Sequence, residues 1–243
     1  MYLQKNANQQ WEQTNDYTIN VASVDQTFIA KYISKVYAWM CLGLLFTGVI
    51  AYLGSNSQAL INFVYGSKYT IIGIFILQIG VVMYISARIA KINYATAVAG
   101  FLLYAGINGV IFSSIFILFD AKTLISVFAI TAGTFAVMSA VGYFTKKDLT
   151  SFGRIMMMGL VGIIIASVVN FFMESATLYW IISYVGVAVF VGLIAYDTQK
   201  IKSYALIEDA EMRKKASILG ALALYLDFIN LFIMLLRIFG SRD

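Results

Sequence analysis

The sequence predicts an all-α integral membrane protein with seven transmembrane helices. Of its 243 residues, 61% are hydrophobic and only 12% are charged, whereas a soluble domain has roughly 45–50% apolar and about 25% charged residues. Seven apolar stretches also approach the length of about 20 residues that a helix needs to cross the hydrocarbon core. The short alternating strands of a β-barrel do not account for stretches of this length.

The seven stretches follow one another with short connections. In order, they cover residues 33–53, 69–87, 94–119, 123–144, 155–173, 177–196 and 217–236. We therefore expect a polar N-terminal tail (1–29), a single transmembrane domain (30–240) and a C-terminal tail (241–243). The last stretch is apolar nearly all round apart from one polar seam, and this pattern favours a central position among the other helices.

The distribution of basic residues predicts the orientation. With seven crossings, thirteen of the seventeen Lys and Arg residues fall on the same side as the N-terminus. The positive-inside rule places that side in the cytoplasm and the C-terminus outside. From the short tails we expect a bacterial plasma (inner) membrane. Arg237 and Arg242 favour a cytoplasmic C-terminus instead, so six crossings followed by a re-entrant last helix is an alternative. The net charge of +5 is explained by topology, and no nucleic-acid partner is expected.

Composition excludes several kinds of chemistry. The chain has no His, and Cys41 is its single cysteine. Imidazole metal sites, Ser-His-Asp triads, cysteine metal clusters and intramolecular disulfides are therefore excluded. We expect no cofactor and a protein that is not an enzyme. A pair of aspartates alone would suit an intramembrane aspartyl protease, but neither Asp197 nor Asp227 has the glycine beside it that this class would show.

Asp227 lies in the middle of the last apolar stretch. An ionised Asp at that depth costs roughly 2.5–3.5 kcal/mol on insertion scales, so its side chain must face protein or water. Gly220, Ala223 and Asn230 recur at steps of three or four residues and share a helix face with Asp227. The small residues allow another helix to approach closely, and Asn230 is a supporting hydrogen-bonding residue.

Asp197 ends the sixth apolar stretch and has two interpretations. Taken alone, it is an interfacial charge. If the sixth helix continues through residues 198–205 and is offset against the last helix, Asp197 reaches Asp227 instead. Two such carboxylates would retain one shared proton and titrate as a unit. Ionised, Asp197 and Asp227 would offer oxygen ligands to a hard cation such as Ca²⁺, in a transient metal site.

Two further polar residues are candidates for the site. Arg88 closes the second stretch on the same side as Asp197, so it is a candidate latch that binds an aspartate and closes the mouth. The simpler interpretation, which we prefer on the sequence alone, is a positive-inside anchor. Asn108, within the third stretch, is a second supporting polar residue, of a type that commonly joins membrane helices.

Several strings resemble one known family. GLIAYDTQKIK (192–202) and ALYLDFINLFIMLLRIFG (223–240) are similar to the Bax-inhibitor-1 family, and KKDLTSFG (146–153) and YAGINGVIFSSIF (104–116) fit the same pattern. The resemblance implies seven helices with the C-terminal helix central, wrapped by the other six. It also implies a pH-sensitive Ca²⁺ leak with a paired-aspartate sensor at Asp197 and Asp227. In the family, an Arg near the cytoplasmic end of the second helix is implicated in holding the closed state, and Arg88 matches it approximately.

Three functions are consistent with these features. The first is a pH-gated, Ca²⁺-permeable leak channel in which the aspartates sense protons. The second is a proton-coupled cation transporter or exchanger that uses the same pair. The third is a regulator without transport activity that binds another membrane protein, such as a protease, through residues 1–29. The expected partners are the lipid bilayer, Ca²⁺ and protons, with a membrane protein as a candidate fourth.

Overall fold

A computed structural model describes residues 26–240, and this part of the chain is helical. Its helices are α1 (Gln26–Ser55), α2 (Gln58–Tyr65), α3 (Lys68–Arg88), α4 (Tyr94–Phe112), α5 (Ile115–Leu118), α6 (Ala121–Phe144), α7 (Thr150–Met173), α8 (Ala176–Tyr204) and α9 (Ala210–Phe239). With α4 and α5 taken as one span, seven helices are long and apolar enough to cross a membrane. The predicted fold class is confirmed.

Several helices extend beyond the apolar stretches that predicted them. The sixth stretch ends at residue 196, but α8 runs to Tyr204; the seventh begins at 217, but α9 begins at Ala210. The Asp209 side chain starts α9, because its carboxylate accepts hydrogen bonds from the backbone N–H groups of Glu211 (3.1 Å) and Met212 (3.2 Å). Polar turns of this kind continue a helix outside the hydrocarbon, where hydropathy does not report them.

The third stretch is interrupted near its end. The hydroxyl groups of Ser113 and Ser114 donate to backbone carbonyls in the preceding turn, at Val110 and Ile111. Such bonds compete with the helix ladder and separate α4 from α5. The Tyr65 hydroxyl at the end of α2 also donates to the Ile111 carbonyl and lies 2.7 Å from the Ser114 hydroxyl. Neither the break nor α2 is predicted from the sequence.

The C-terminal helix α9 occupies the centre. In the most apolar 18-residue segment of α9, 67% of the residues are buried inside the molecule. The corresponding share is 50% for α8, 11% for α3 and 6% for α7. α9 packs mainly against α1, α4, α6 and α8, whereas α3 packs chiefly on α4 and α7 on α8. The predicted central position is confirmed in part: α1, α4, α6 and α8 surround α9, whereas α3 and α7 lie outside them and do not complete the predicted ring of six.

α9 runs without a break for 30 residues, which is about 45 Å at 1.5 Å per residue. That length exceeds the hydrocarbon core of about 30 Å. A re-entrant segment would turn back within the membrane, and α9 shows no such turn. The predicted tail residues 1–25 and 241–243 lie outside the described residues.

Candidate functional site

Asp197 of α8 and Asp227 of α9 lie close enough for their carboxyl groups to interact, across the interface between the two helices. Asp227 is 4% exposed, and its Oδ2 atom is buried with no hydrogen-bond donor. Asp197 is partly exposed. Two ionised carboxylates are both acceptors, so a contact between them requires a proton on one of the two. Such a pair is able to share one proton, and its predicted role as a sensor stays a prediction.

Close packing along α8 and α9 sets the register that brings the aspartates together. A Cβ atom placed on Gly186 of α8 would lie 2.9 Å from Met234 Sδ, and one on Gly220 of α9 would lie 3.0 Å from Ile201 Cγ1. Gly186 thus pairs with Met234, and Ile201 with Gly220, in an antiparallel arrangement. Asp197 and Asp227 fall between these two contacts, so the backbones are already close at their level.

The same register explains how Asp197 reaches the depth of Asp227. Because Ile201 lies opposite Gly220, the end of α8 at Tyr204 falls opposite about residue 217. Residues 210–216 of α9 therefore project beyond α8 by about 10 Å. Asp197 lies seven residues before the end of α8, well inside the helix pair. The structure shows the offset arrangement, which brings Asp197 near Asp227.

Lys200 is the basic residue associated with the aspartate pair, and sequence reasoning missed it. Its ammonium group attracts the Asp197 carboxylate and lies 5.8 Å from the centroid of the Tyr196 ring. The spacing of three residues between Asp197 and Lys200 on one helix would have indicated their proximity.

Other polar residues of the GLIAYDTQKIK string fix the end of α8. Thr198 is hydrogen-bonded to the Tyr37 hydroxyl of α1 (3.2 Å). The Gln199 side chain accepts from the Leu149 N–H and donates to the Lys147 carbonyl, both at 2.8 Å. Lys202 Nζ donates to the carbonyl of Tyr143 at the end of α6 (2.7 Å). These contacts hold α8 against α1, α6 and the α6–α7 connection.

Arg88 is exposed at the end of α3 and forms no ion pair with either aspartate in the described part of the chain. The connection between this end of α3 and the central helix comes from another residue. Lys215 of α9 is buried, and its Nζ donates to the carbonyls of Ala90 (3.2 Å) and Ile92 (3.1 Å) in the turn that follows Arg88. The structure therefore shows no Arg88 latch, and its predicted role stays a prediction.

The two predicted asparagines lie apart from the carboxyl contact. Asn230 Nδ2 donates to the Leu226 carbonyl of its own helix (2.7 Å). Asn108 is buried, donates to the Tyr104 carbonyl (3.2 Å), and lies beside the Tyr225 hydroxyl.

Tyr225 belongs to a second buried polar cluster. Its hydroxyl lies 2.7 Å from that of Thr47, which donates to the Ala105 carbonyl (2.9 Å). The cluster thus joins α1, α4 and α9.

The aspartate pair offers few ligands to a metal. Within residues 26–240, no group of three or more His, Cys, Asp or Glu side chains is arranged to hold an ion. Ca²⁺ takes 6–8 oxygen ligands when tightly bound. Asp197 and Asp227 supply only two carboxylates, and the transient Ca²⁺ site at this pair stays a prediction.

Comparison with known proteins identifies the family. The family described as "Inhibitor of apoptosis-promoting Bax1" matches residues 29–243. The chain belongs to the Bax inhibitor-1 family.

Bacterial members are close relatives. "Inner membrane protein YbhL" of Escherichia coli K12 is 47% identical over 217 residues, covering 88% of this chain and 93% of its own. An uncharacterized protein of Borreliella burgdorferi is 43% identical over 214 residues, covering 87% and 92%. The uncharacterized protein RP147 of Rickettsia prowazekii is 39% identical over 233 residues, covering 93% and 98%. The resemblance seen in the sequence is confirmed over the whole described fold.

Proposed function

We propose that this Bax inhibitor-1 family member is a pH-sensitive, Ca²⁺-permeable leak channel of a bacterial inner membrane, gated by Asp197 and Asp227. The observation that carries the proposal is the contact between these two carboxyl groups on the two most buried helices. The name of the Escherichia coli relative supports the inner membrane. The bias of Lys and Arg supports a cytoplasmic N-terminus.

The direction of the pH response follows from the charge on the pair. With one proton shared, a single negative charge remains and the contact between α8 and α9 is retained. When both carboxyl groups ionise, two adjacent like charges repel in a poorly solvated environment. Rising pH therefore separates the helices and, at the same time, creates an oxygen-rich site that attracts Ca²⁺. We expect flux to increase with pH.

Calcium flux into proteoliposomes tests the proposal, with pH and Ca²⁺ varied separately. A switch set by one proton changes the ionised fraction by at most about tenfold per pH unit, so wild-type flux should rise no more steeply than this. Asp197→Asn and Asp227→Asn should each abolish the pH dependence, because an amide donates to the remaining carboxylate without a titrating proton. If the flux keeps its pH dependence in both variants, Asp197 and Asp227 are not the proton sensor.

Asp148→Asn is the matched control. Asp148 is exposed in the α6–α7 connection, and hydrogen bonds from Thr150 lower the pKa of its carboxyl group, so it stays ionised throughout the tested range. This variant should behave as wild type. If the flux saturates with Ca²⁺ and requires a counter-ion, the protein is an exchanger that uses Asp197 and Asp227, and not a channel.

A further inference from the structure

An apolar cavity opens on the side of the molecule formed by α1, α4, α5, α6 and α9. Its volume is about 270 Å³. Its walls include Gly48 of α1, Phe116 of α5, Phe128 of α6 and Phe228 of α9. These residues lie in the half of the molecule remote from the connections that carry most of the Lys and Arg residues. The cavity is therefore distinct from the aspartate contact, although Phe228 is adjacent to Asp227.

Water is a poor occupant of this cavity. A buried water needs two to four polar partners. Among the described residues that line the cavity, Thr47 is the single polar side chain. Its hydroxyl already donates to the Ala105 carbonyl (2.9 Å) and lies 2.7 Å from the Tyr225 hydroxyl. The walls thus offer a water molecule almost no hydrogen bonds.

The mouth of the cavity faces the surroundings of the membrane helices. Ile125 is 69% exposed, Phe128 49% and Phe116 40%. Because α1, α6 and α9 are long and apolar enough to cross the membrane, the medium in contact with these side chains is hydrocarbon. Apolar cavities of about 150 Å³ already bind molecules as large as benzene. A cavity of about 270 Å³ holds a longer segment of chain.

We propose that this cavity is a binding site for one acyl chain of a bilayer phospholipid. The chain enters between α5 and α6 and packs against Phe228 and Gly48. It fills a space that would otherwise cost the surrounding side chains their dispersion contacts. The proposal stands independently of ion conduction, because it concerns the shape and polarity of the walls alone.

Gly48 is a position from which a larger side chain can fill the cavity. A Cβ atom placed on Gly48 meets no heavy atom within 4 Å, so a leucine side chain has room to grow into the cavity. Gly133 of α6 is a matched control, since its Cβ also meets nothing within 4 Å and it does not line the cavity. Gly48→Ala adds a smaller group and gives an intermediate point if Gly48→Leu is poorly folded.

Photo-crosslinking tests the proposal in phosphatidylcholine vesicles that contain a phospholipid with a diazirine on its acyl chain. Peptide mapping of the wild type should show labelling concentrated on the cavity walls, around Phe128 and Phe228. This labelling should be reduced in Gly48→Ala, be lost in Gly48→Leu and persist in Gly133→Leu. Equal wall labelling in wild type and Gly48→Leu, or labelling spread evenly over all lipid-facing helices, would overturn the proposal.

Discussion

Asp227 places a carboxyl group on the most buried helix of the molecule, and its Oδ2 atom receives no hydrogen bond from residues 26–240. On the proposed mechanism, a proton shared with Asp197 would remove one of the two negative charges and provide a hydrogen bond between the two carboxyl groups. Loss of that proton leaves two like charges in contact, and the repulsion acts directly on α8 and α9. The proposed function therefore predicts that a single proton determines whether this contact is favourable.

For Asp227, burial could be predicted from the sequence, but its contact with Asp197 could not be predicted outright. Its depth in the last apolar stretch predicted a side chain facing protein, and the structure confirms this burial. The sequence predicted a contact with Asp197 only if the sixth helix is extended and offset against the last helix. That offset comes from close contacts such as Gly220 against Ile201, which depend on three-dimensional packing.

Lys215 is predicted to stabilise the fold without taking part in proton sensing. It is 8% exposed, and its ammonium group bonds two backbone carbonyls, at Ala90 and Ile92. Lys215→Met should lower the free energy of unfolding by about 1–3 kcal/mol, because both carbonyls lose a charged donor. The exposed neighbour Lys214 gives the control, and Lys214→Met should change stability by no more than about 0.5 kcal/mol. Reversible unfolding in mixed detergent measures both, and equal values would contradict the assignment.

At the scale of helices, the contact between α6 and α8 is set by a glycine. A Cβ atom on Gly142 of α6 would lie 2.2 Å from the carbonyl oxygen of Ala195 in α8. The obstacle is backbone and cannot rotate away. Ala195 precedes Asp197 by two residues, so the spacing between α6 and α8 also influences the position of the aspartate.

Gly142→Ala is therefore expected to destabilise the protein by about 1–3 kcal/mol, the usual cost of overpacking. Gly133→Ala on the same helix adds the same methyl group to open space, so it should cause no loss of stability. Thermal unfolding in detergent distinguishes the two. Equal stability of the two variants would show that α6 and α8 are less tightly packed than the structure indicates.

The sequence predicted the membrane-spanning helices well, but it did not predict the short helix α2 or the break between α4 and α5. All seven apolar stretches form helices, because lipid obliges the backbone to satisfy its own hydrogen bonds. The eight-residue α2 was missed because it is too short to cross the membrane. The break between α4 and α5 was missed because hydroxyl bonds at Ser113 and Ser114 depend on the local chain and on Tyr65.

For the whole molecule, hydropathy does not reveal which helix lies at the centre. α7 has the highest mean hydropathy of the seven spans, 2.4, and only 6% of its window is buried; α9 has 2.1 and 67%. Lipid and protein interiors are similarly apolar, so the two environments select similar residues. The polar seam of α9 was the useful signal, because Asp227 cannot face lipid.

Orientation in the membrane is predicted at this scale as well. Lys122 and Lys146 are exposed near opposite ends of α6, which is about 36 Å long. In a Cys41→Ser background, a membrane-impermeant maleimide applied to intact cells should label Lys122→Cys. It should label Lys146→Cys only after permeabilisation. The reverse pattern would invert the topology and place the aspartate pair near the outer surface.

The shared proton is observable directly by infrared difference spectroscopy of the reconstituted wild type across a pH titration. We expect a carboxylic acid C=O band that disappears as pH rises, over the same range in which Ca²⁺ flux increases, and that is absent from or displaced in Asp227→Asn. Absence of any protonated carboxyl band at the pH where flux is lowest would contradict a proton shared between Asp197 and Asp227.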